Sequence, residues 1–256
     1  MSLVLTKLFN KIIDTGKFPQ VWSLSLLTPI YKSEDPTDCG NYKDICISSC
    51  LGKLFTSILQ KRLNYFLEIN NLISVNHGSF RKGYRTTDHI FILKTLLNKY
   101  IYNCKKKFFV CFVDFRKAFD SVWRPSLFLK LKAKGIKGKF YNLLQVIYSN
   151  TYYSCKNNSF YSKPFLVNQG FKQGDSLSPL LFKFFVDDIC KHFKQNLSDP
   201  VQLEDIKFNH LLYADDLVLI SESPDGLQHC LDGLQNYSSE WRLAVNCQKT
   251  KVIVFS

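Results

Sequence analysis

No stretch of this chain is apolar for long enough to cross a membrane, and the segment Met1 to Lys7 lacks both a continuous apolar core and a small-residue cleavage site. Nothing legible directs the chain to a bilayer or to export. Cys-x-x-Cys spacing with nearby histidines is also missing, although nine cysteines stand at 39, 46, 50, 104, 111, 155, 190, 230 and 247. That pattern excludes a readable zinc site. The count is odd, and Cys111 and Cys190 lie inside apolar runs where a reduced thiol acts as a small hydrophobe, so a reducing compartment, nucleus or cytoplasm, is expected. There is no internal repeat and no low-complexity tract. Acid is scarce relative to base, with 21 Asp and Glu against 34 Lys and Arg, a formal charge of +13 spread along the chain. A polyanionic partner is the leading explanation, nucleic acid before others; a solvated lysine-rich surface is the bland one.

What is present suits a packed globule. The chain has 256 residues, 46% of them apolar, enough for one large domain or two subdomains. Tyr31 to Lys43 reads as a Pro- and Gly-punctuated loop. Leu51, Leu54, Phe55, Ile58, Leu59, Leu63, Phe66 and Leu67 follow helical spacing, with Ser48 and Ser49 available as caps. A second helix runs through Ile90, Leu93, Leu96 and Leu97, and two more occupy Pro125 to Lys134 and Lys139 to Ser149. Thr151 to Val167, with Asn157-Asn158 at its middle, reads as a hairpin. Ser178 and Pro179 open another helix, one more lies around Leu227 to Trp241, and Lys251 to Phe255 forms a closing strand. Helices and antiparallel strands mix without βαβ alternation, so the expected class is α+β.

The chemistry is concentrated in acids. Tyr213-Ala214-Asp215-Asp216 sits between Asn209-His210-Leu211-Leu212 and Leu217-Val218-Leu219-Ile220, which puts two adjacent carboxylates on a turn between two buried strands. Neighbouring carboxylates repel, and beside such apolar strands a divalent cation is the simplest compensation. Upstream, the apolar run Phe108 to Val113 delivers Asp114 at its C-terminal end, a natural third carboxylate. Alone, Asp215-Asp216 would more often be an acidic hairpin turn; the order of the motifs weighs against that. Val186-Asp187-Asp188 is a second acidic pair, but its neighbours have helical period and Lys183, Lys191 and Lys194 are near, so it reads as helix-surface charge with salt-bridge partners. Asp120 and Asp175 read as structural.

The order Asp114, then Asn168-Gln169-Gly170-Phe171-Lys172-Gln173-Gly174-Asp175-Ser176-Leu177-Ser178-Pro179, then Asp215-Asp216, resembles reverse transcriptases. More narrowly it resembles those of non-LTR (LINE-type) retrotransposons of the jockey kind, from the preamble Phe18-Pro19-Gln20-Val21-Trp22 to Lys249. The resemblance implies a right-hand polymerase with fingers and palm, a palm sheet carrying the Tyr-Ala-Asp-Asp hairpin, and no thumb. It implies an N-terminal extension and fingers over 1–107 and a palm over 108–256 with a further fingers segment, about 125–165, inserted, and neither an endonuclease nor a complete thumb. The implied reaction is RNA-directed DNA polymerisation, with two Mg²⁺ ions (or Mn²⁺ in their place) at Asp114, Asp215, Asp216 and the backbone carbonyl of Phe115. RNA template, DNA primer and dNTPs are the implied partners, within a ribonucleoprotein, without a membrane and with no oligomeric state specified.

Further roles follow from the same resemblance. Phe119 takes the place of the aromatic under the incoming sugar, where a ring clashes with a 2′-hydroxyl; a core phenylalanine is the plain alternative. Gln173-Gly174 takes that of the turn against the nascent base pair. Arg81 and Lys82 fall in a fingers motif suited to a triphosphate, Lys43 stands where the family has Arg before Pro, and Lys249 matches a late palm motif able to protonate pyrophosphate. Lys43-Asp44, His77-Gly78-Ser79-Phe80 and Ser176 depart from the family pattern without removing an acid. The alternative function is a truncated, catalytically inactive remnant that binds nucleic acid.

Overall fold

The computed structural model describes residues 2–32, 35–74, 79, 85–157, 159–195 and 197–256. Its helices are α1 (Ser2–Thr15), α2 (Gln20–Ser23), α3 (Cys50–Ile69), α4 (Thr86–Leu97), α5 (Ala118–Ser121), α6 (Arg124–Ala133), α7 (Gly138–Ser149), α8 (Ser178–Val186), α9 (Ile189–Gln195) and α10 (Pro224–Trp241). The strands are β1 (Leu24–Tyr31), β2 (Tyr42–Ile47), β3 (Phe108–Val113), β4 (Tyr152–Asn157), β5 (Phe160–Tyr161), β6 (Phe165–Leu166), β7 (Val201–Leu203), β8 (Ile206–Phe208), β9 (His210–Tyr213), β10 (Asp216–Ser221) and β11 (Lys251–Phe255). A π-helical turn, Asn98–Asn103, prolongs α4. The class is α+β, as the sequence implies. Among the described residues no helix is long and apolar enough to cross a membrane.

Two compact units emerge, Met1–Phe66 with Val122–Leu180 and Leu67–Ser121 with Leu181–Ser256. In the first, β1 is paired antiparallel with β2 and parallel with β4, and β4 continues antiparallel to β5 and β6. The parallel register, Leu24↔Tyr152 to Leu27↔Cys155, joins segments more than a hundred residues apart, which no local signal announces. Phe9 of α1, Trp22 of α2 and Phe55 of α3 form an aromatic cluster with ring centroids 5.3–6.3 Å apart. Ser49 caps α3 by accepting from the Gly52 N–H at 3.3 Å, as the sequence suggests.

In the second unit a four-stranded antiparallel sheet runs in the order β11-β3-β10-β9. One face carries Phe108, Val110, Leu211 and Ile220, buried against Leu96 of α4 and Tyr100 of the π-helical turn. That packing seals α4 and the π-helical turn onto the sheet. Side chains alternate along a strand, so the opposite face presents Cys111, Leu217 and Leu219, all buried, with α10 against β10 and β3. A sheet covered on both faces reads as near-continuous apolar runs, which is what Phe108 to Val113 and Leu217 to Ile220 are.

The second acidic pair is a correction. Asp187 is 4% exposed, and its two carboxylate oxygens accept from the Ser74 backbone N–H at 2.9 and 3.0 Å. Asp188 accepts from the Tyr237 hydroxyl at 2.5 Å. Asp187 is therefore an interior hydrogen-bond acceptor and Asp188 a half-buried one, neither of them free surface charge, and Lys183, expected as a surface partner, is wholly buried. Nor do the two acids lie on a helix: they form the turn between α8 and α9, where the helical period of the flanking residues breaks off.

Candidate active site

β3 delivers Asp114 because its six residues are apolar and the chain leaves the sheet immediately after Val113. Across the antiparallel pair, Val113 stands opposite Leu217, so the next step of register sets Asp114 against Asp216, the first residue of β10. Asp216 in turn pairs with Tyr213, closing a hairpin whose loop is Ala214-Asp215 alone. Ala214 has φ +56°, the positive value that two-residue hairpin turns need at their first central position. Three acids are thus gathered at one end of the sheet by strand register and one tight turn.

Their electrostatics show the gathering. The Asp216 carboxyl is pushed above the ordinary range, first by partial burial and then by the charges of Asp215 and Asp114. Such mutual repulsion is what a bound cation relieves, so the donor set fits a hard divalent metal. Among the described residues no three His, Cys, Asp or Glu side chains, as they stand, form a group that could hold a metal ion. The acids are adjacent in register and coupled in charge, with Asp114 and Asp215 half-buried and Asp216 exposed.

The backbone around Asp114 is fixed from a third direction. Its N–H donates to the Thr250 hydroxyl at 3.2 Å, and its carbonyl accepts from the Asn246 N–H at 2.7 Å. Phe115 forms a bridge with Val245, and the Arg116 N–H donates to the Ala244 carbonyl at 2.7 Å. Residues 244–246 therefore run antiparallel beside 114–116 through a single bridge, and a turn over 247–249 brings Thr250 back to Asp114. Lys249 lies on it, exposed, its N–H donating to the Asn246 carbonyl at 3.1 Å. The Phe115 side chain is buried, 7% exposed.

Phe119 is half-buried on α5, its ring stacked on the core ring of Phe182 with centroids 4.2 Å apart and planes 20° from parallel. One face is held by the core, so the ring is neither a free surface group nor wholly interior.

Of the other sequence-derived positions, Gln173, Gly174 and Lys43 belong to the first unit. Gly174 is exposed with φ +83°, and a Cβ there would stand 3.1 Å from the Cys46 carbonyl oxygen, so both backbone angle and space require glycine. Gln173 is half-buried beside it. Lys43 lies on β2 opposite Ile30. Arg81 and Lys82 lie outside the described residues.

Sequence reasoning missed the polar framework around Gln173-Gly174. Lys172 is buried and its ammonium donates to the Ser23 and Trp22 carbonyls at 3.2 and 3.5 Å. Asp175, 6% exposed, accepts from the Thr56 hydroxyl, and burial raises its carboxyl above the usual range. Arg124, 5% exposed, donates to four backbone carbonyls. The only available signal was a charged residue set directly after the apolar Val122-Trp123.

A family described as reverse transcriptase (RNA-dependent DNA polymerase) matches residues 30–254. The chain is 28% identical over 97% of its length to the probable RNA-directed DNA polymerase from transposon BS of Drosophila melanogaster. It is 26% identical over 98% of its length to the RNA-directed DNA polymerase from mobile element jockey of the same fly. It spans 27% and 28% of those two relatives, about a quarter of their length. Among solved structures, apo telomerase from Candida tropicalis truncated from its C-terminal domain superposes with a TM-score of 0.64 at 18% identity, over 100% of this chain and 56% of that one. Telomerase from the same yeast with a fragment of telomeric RNA gives 0.63 at 16% identity, over 98% and 44%. At such identities the likeness is one of fold.

Proposed function

Because the chain belongs to the reverse transcriptase (RNA-dependent DNA polymerase) family, we propose that it is the polymerase core of a mobile element, adding dNTPs to a DNA primer 3′-hydroxyl on an RNA template. The observation that carries this reading is the juxtaposition of Asp114 and Asp216 by strand register, with the Asp216 carboxyl raised by its acidic neighbours. In this reading Asp114, Asp215 and the Phe115 carbonyl would hold two Mg²⁺ ions, with Asp216 in a supporting role. When bound, the ions supply charge neutralisation for the triphosphate and activation of the attacking hydroxyl.

The residues themselves do the positioning. The 244–250 segment holds Asp114 and Phe115 by their backbones, so the carboxylate and carbonyl are presented without loss of chain freedom on binding. Phe119, stiffened by stacking on Phe182, closes the space below the sugar and disfavours a 2′-hydroxyl. Lys249 hands a proton to the departing pyrophosphate. Arg81, Lys82 and Lys43 neutralise the triphosphate, and Gln173-Gly174 lies against the nascent pair. Residues 1–107 are read as N-terminal extension and fingers and 108–256 as palm, with a further fingers segment, about 125–165, inserted. The excess of base, +13, attracts the nucleic-acid backbone, and the chain acts inside the cell as part of a ribonucleoprotein.

Primer extension tests the reading: poly(rA) template, oligo(dT) primer, dTTP and Mg²⁺ at low salt. Wild-type extension that is lost in Asp215→Asn supports it. Equal extension by both proteins overturns it, and template binding without extension by either would show a remnant that retains only the basic surface.

A further inference from the structure

Arg124 is a buried cation whose hydrogen bonds run to backbone carbonyls. Its Nε donates to Gly170 at 2.8 Å, one terminal nitrogen donates to Tyr148 at 2.5 Å and Val167 at 2.6 Å, and the other donates to Gln169 at 3.1 Å. The guanidinium lies over the Tyr148 ring, 5.3 Å from its centroid. Burial lowers its proton affinity, a measure of what the desolvation costs.

Three of those four carbonyls belong to 167–170, the limb that leads into Gln173-Gly174. The same limb is tied a second time by the Gly170 N–H, which donates to the Val122 carbonyl at 2.8 Å. Lys172 fastens the same limb just before the tip, and the returning limb is fastened by Asp175 with Thr56 and by the Ser178 hydroxyl, which donates to the Lys172 carbonyl at 2.8 Å. Between these anchorages the tip alone is accessible, with Gln173 half-buried and Gly174 exposed.

We propose that Arg124 is a positioning residue for the Gln173-Gly174 turn and thereby sets how selectively the polymerase accepts the paired nucleotide. The inference rests on the polymerase reading and names a residue outside its acids. A planar fork of five N–H donors reaches four carbonyls of one limb and of the α7 C-terminus together; a lysine ammonium has three donors and no plane. With a lysine, at least one of the four carbonyls loses its donor and the tie between the limb and the α7 C-terminus loosens. A turn misplaced by about an ångström costs on the order of a hundredfold in chemistry it only frames.

The test compares wild type, Arg124→Lys, Gln173→Ala and the double variant by hydrogen exchange, melting temperature and single-nucleotide addition of matched and mismatched dNTPs. Arg124→Lys is expected to speed exchange of the 170–176 amides and to leave exchange of β3 and β10 unchanged. It is expected to raise KM for the matched dNTP about tenfold with kcat within about threefold, and to change matched-to-mismatched discrimination by about fivefold or more. In the Gln173→Ala background the KM and discrimination effects are expected to disappear. Unchanged exchange at 170–176, or KM and discrimination effects that add fully to those of Gln173→Ala, would overturn the proposal. If Arg124→Lys melts below the assay temperature, Arg124→Gln, which keeps a carbonyl-directed amide, takes its place. Hydrogen exchange does not depend on turnover, so a wild type without extension sinks the polymerase reading while the exchange comparison still decides the role of Arg124 in holding the turn.

Discussion

The backbone N–H of Asn246 donates to the carbonyl oxygen of Asp114 at 2.7 Å, which ties a residue near the end of the chain to the acid at the end of β3. Thr250 completes the tie by accepting from the Asp114 N–H, and its own N–H donates to the Asn246 carbonyl at 2.8 Å. Thr250→Val keeps the shape and removes the acceptor. A loss of about 1 kcal/mol is expected, a fall in melting temperature of about 2–4 °C, with extension reduced by about tenfold. Thr250→Ser should retain most of both. Thermal unfolding and dTTP addition on the two variants check it.

A pH effect follows from His210. Its Nδ1 lies 2.9 Å from the Asn209 side-chain oxygen, an acceptor, so Nδ1 carries the proton in the neutral ring. Nε2 is buried without a hydrogen-bond partner among the described residues, and the ring packs 5.3 Å from that of Phe193. Burial, then the charge of Lys194, depresses its pKa from 6.5 to about 4. The unfolded chain therefore binds the proton more readily than the folded one. The stability involved is fully present above about pH 6.5 and is lost as pH falls towards about 4, at most on the order of 3 kcal/mol. Denaturant midpoints between pH 7 and 4 should fall, and His210→Gln should remove much of that slope.

Ala214 holds φ +56° in the hairpin that presents Asp215. A β-branched side chain tolerates that angle poorly, so Ala214→Val is expected to lose about 1–2 kcal/mol and to displace Asp215, whereas Ala214→Gly relieves the strain and is neutral or stabilising. Chemical denaturation of the pair of variants distinguishes the two directions.

Asp187 supplies a contrast of another kind. Asp187→Ala leaves the Ser74 N–H without its acceptor and should cost about 1–3 kcal/mol. Removing Asp215 does the opposite to the metal-free fold, because one of three mutually repelling charges disappears: Asp215→Asn is expected to melt at or above the wild-type temperature. Melting curves in EDTA read both signs in one experiment.

Those contrasts show where the sequence was legible. Strand β11 was readable to the residue, since Lys251 to Phe255 has no competing pattern, and so were Asp114 after its apolar run and the Tyr213–Asp216 hairpin. Their signals are local. Helix α1 was not foreseen, although Phe9 and Ile12 are buried, nor was the parallel pairing of β1 with β4, which depends on contacts far apart in the chain. The interior polar groups were least visible. Arg124, Lys172 and Asp187 look like surface residues in sequence, because the backbone carbonyls and N–H groups that satisfy them are present at every position and mark none. The acids were legible by type and order; what brings Asp114 and Asp216 together is strand register, which only the pairing reveals.

The most direct measurement is the rate of dTTP addition to oligo(dT) on poly(rA) in Mg²⁺ for Asp114→Asn, Asp215→Asn and Asp187→Asn, each below its melting temperature. The first two are expected to fall by about a thousandfold or more, the loss appropriate to a central electrostatic element of catalysis, while Asp187→Asn keeps a rate near wild type. Wild-type rates in either of the first two, or an equal loss in all three, would contradict a polymerase centre built on Asp114 and the Asp215-Asp216 pair.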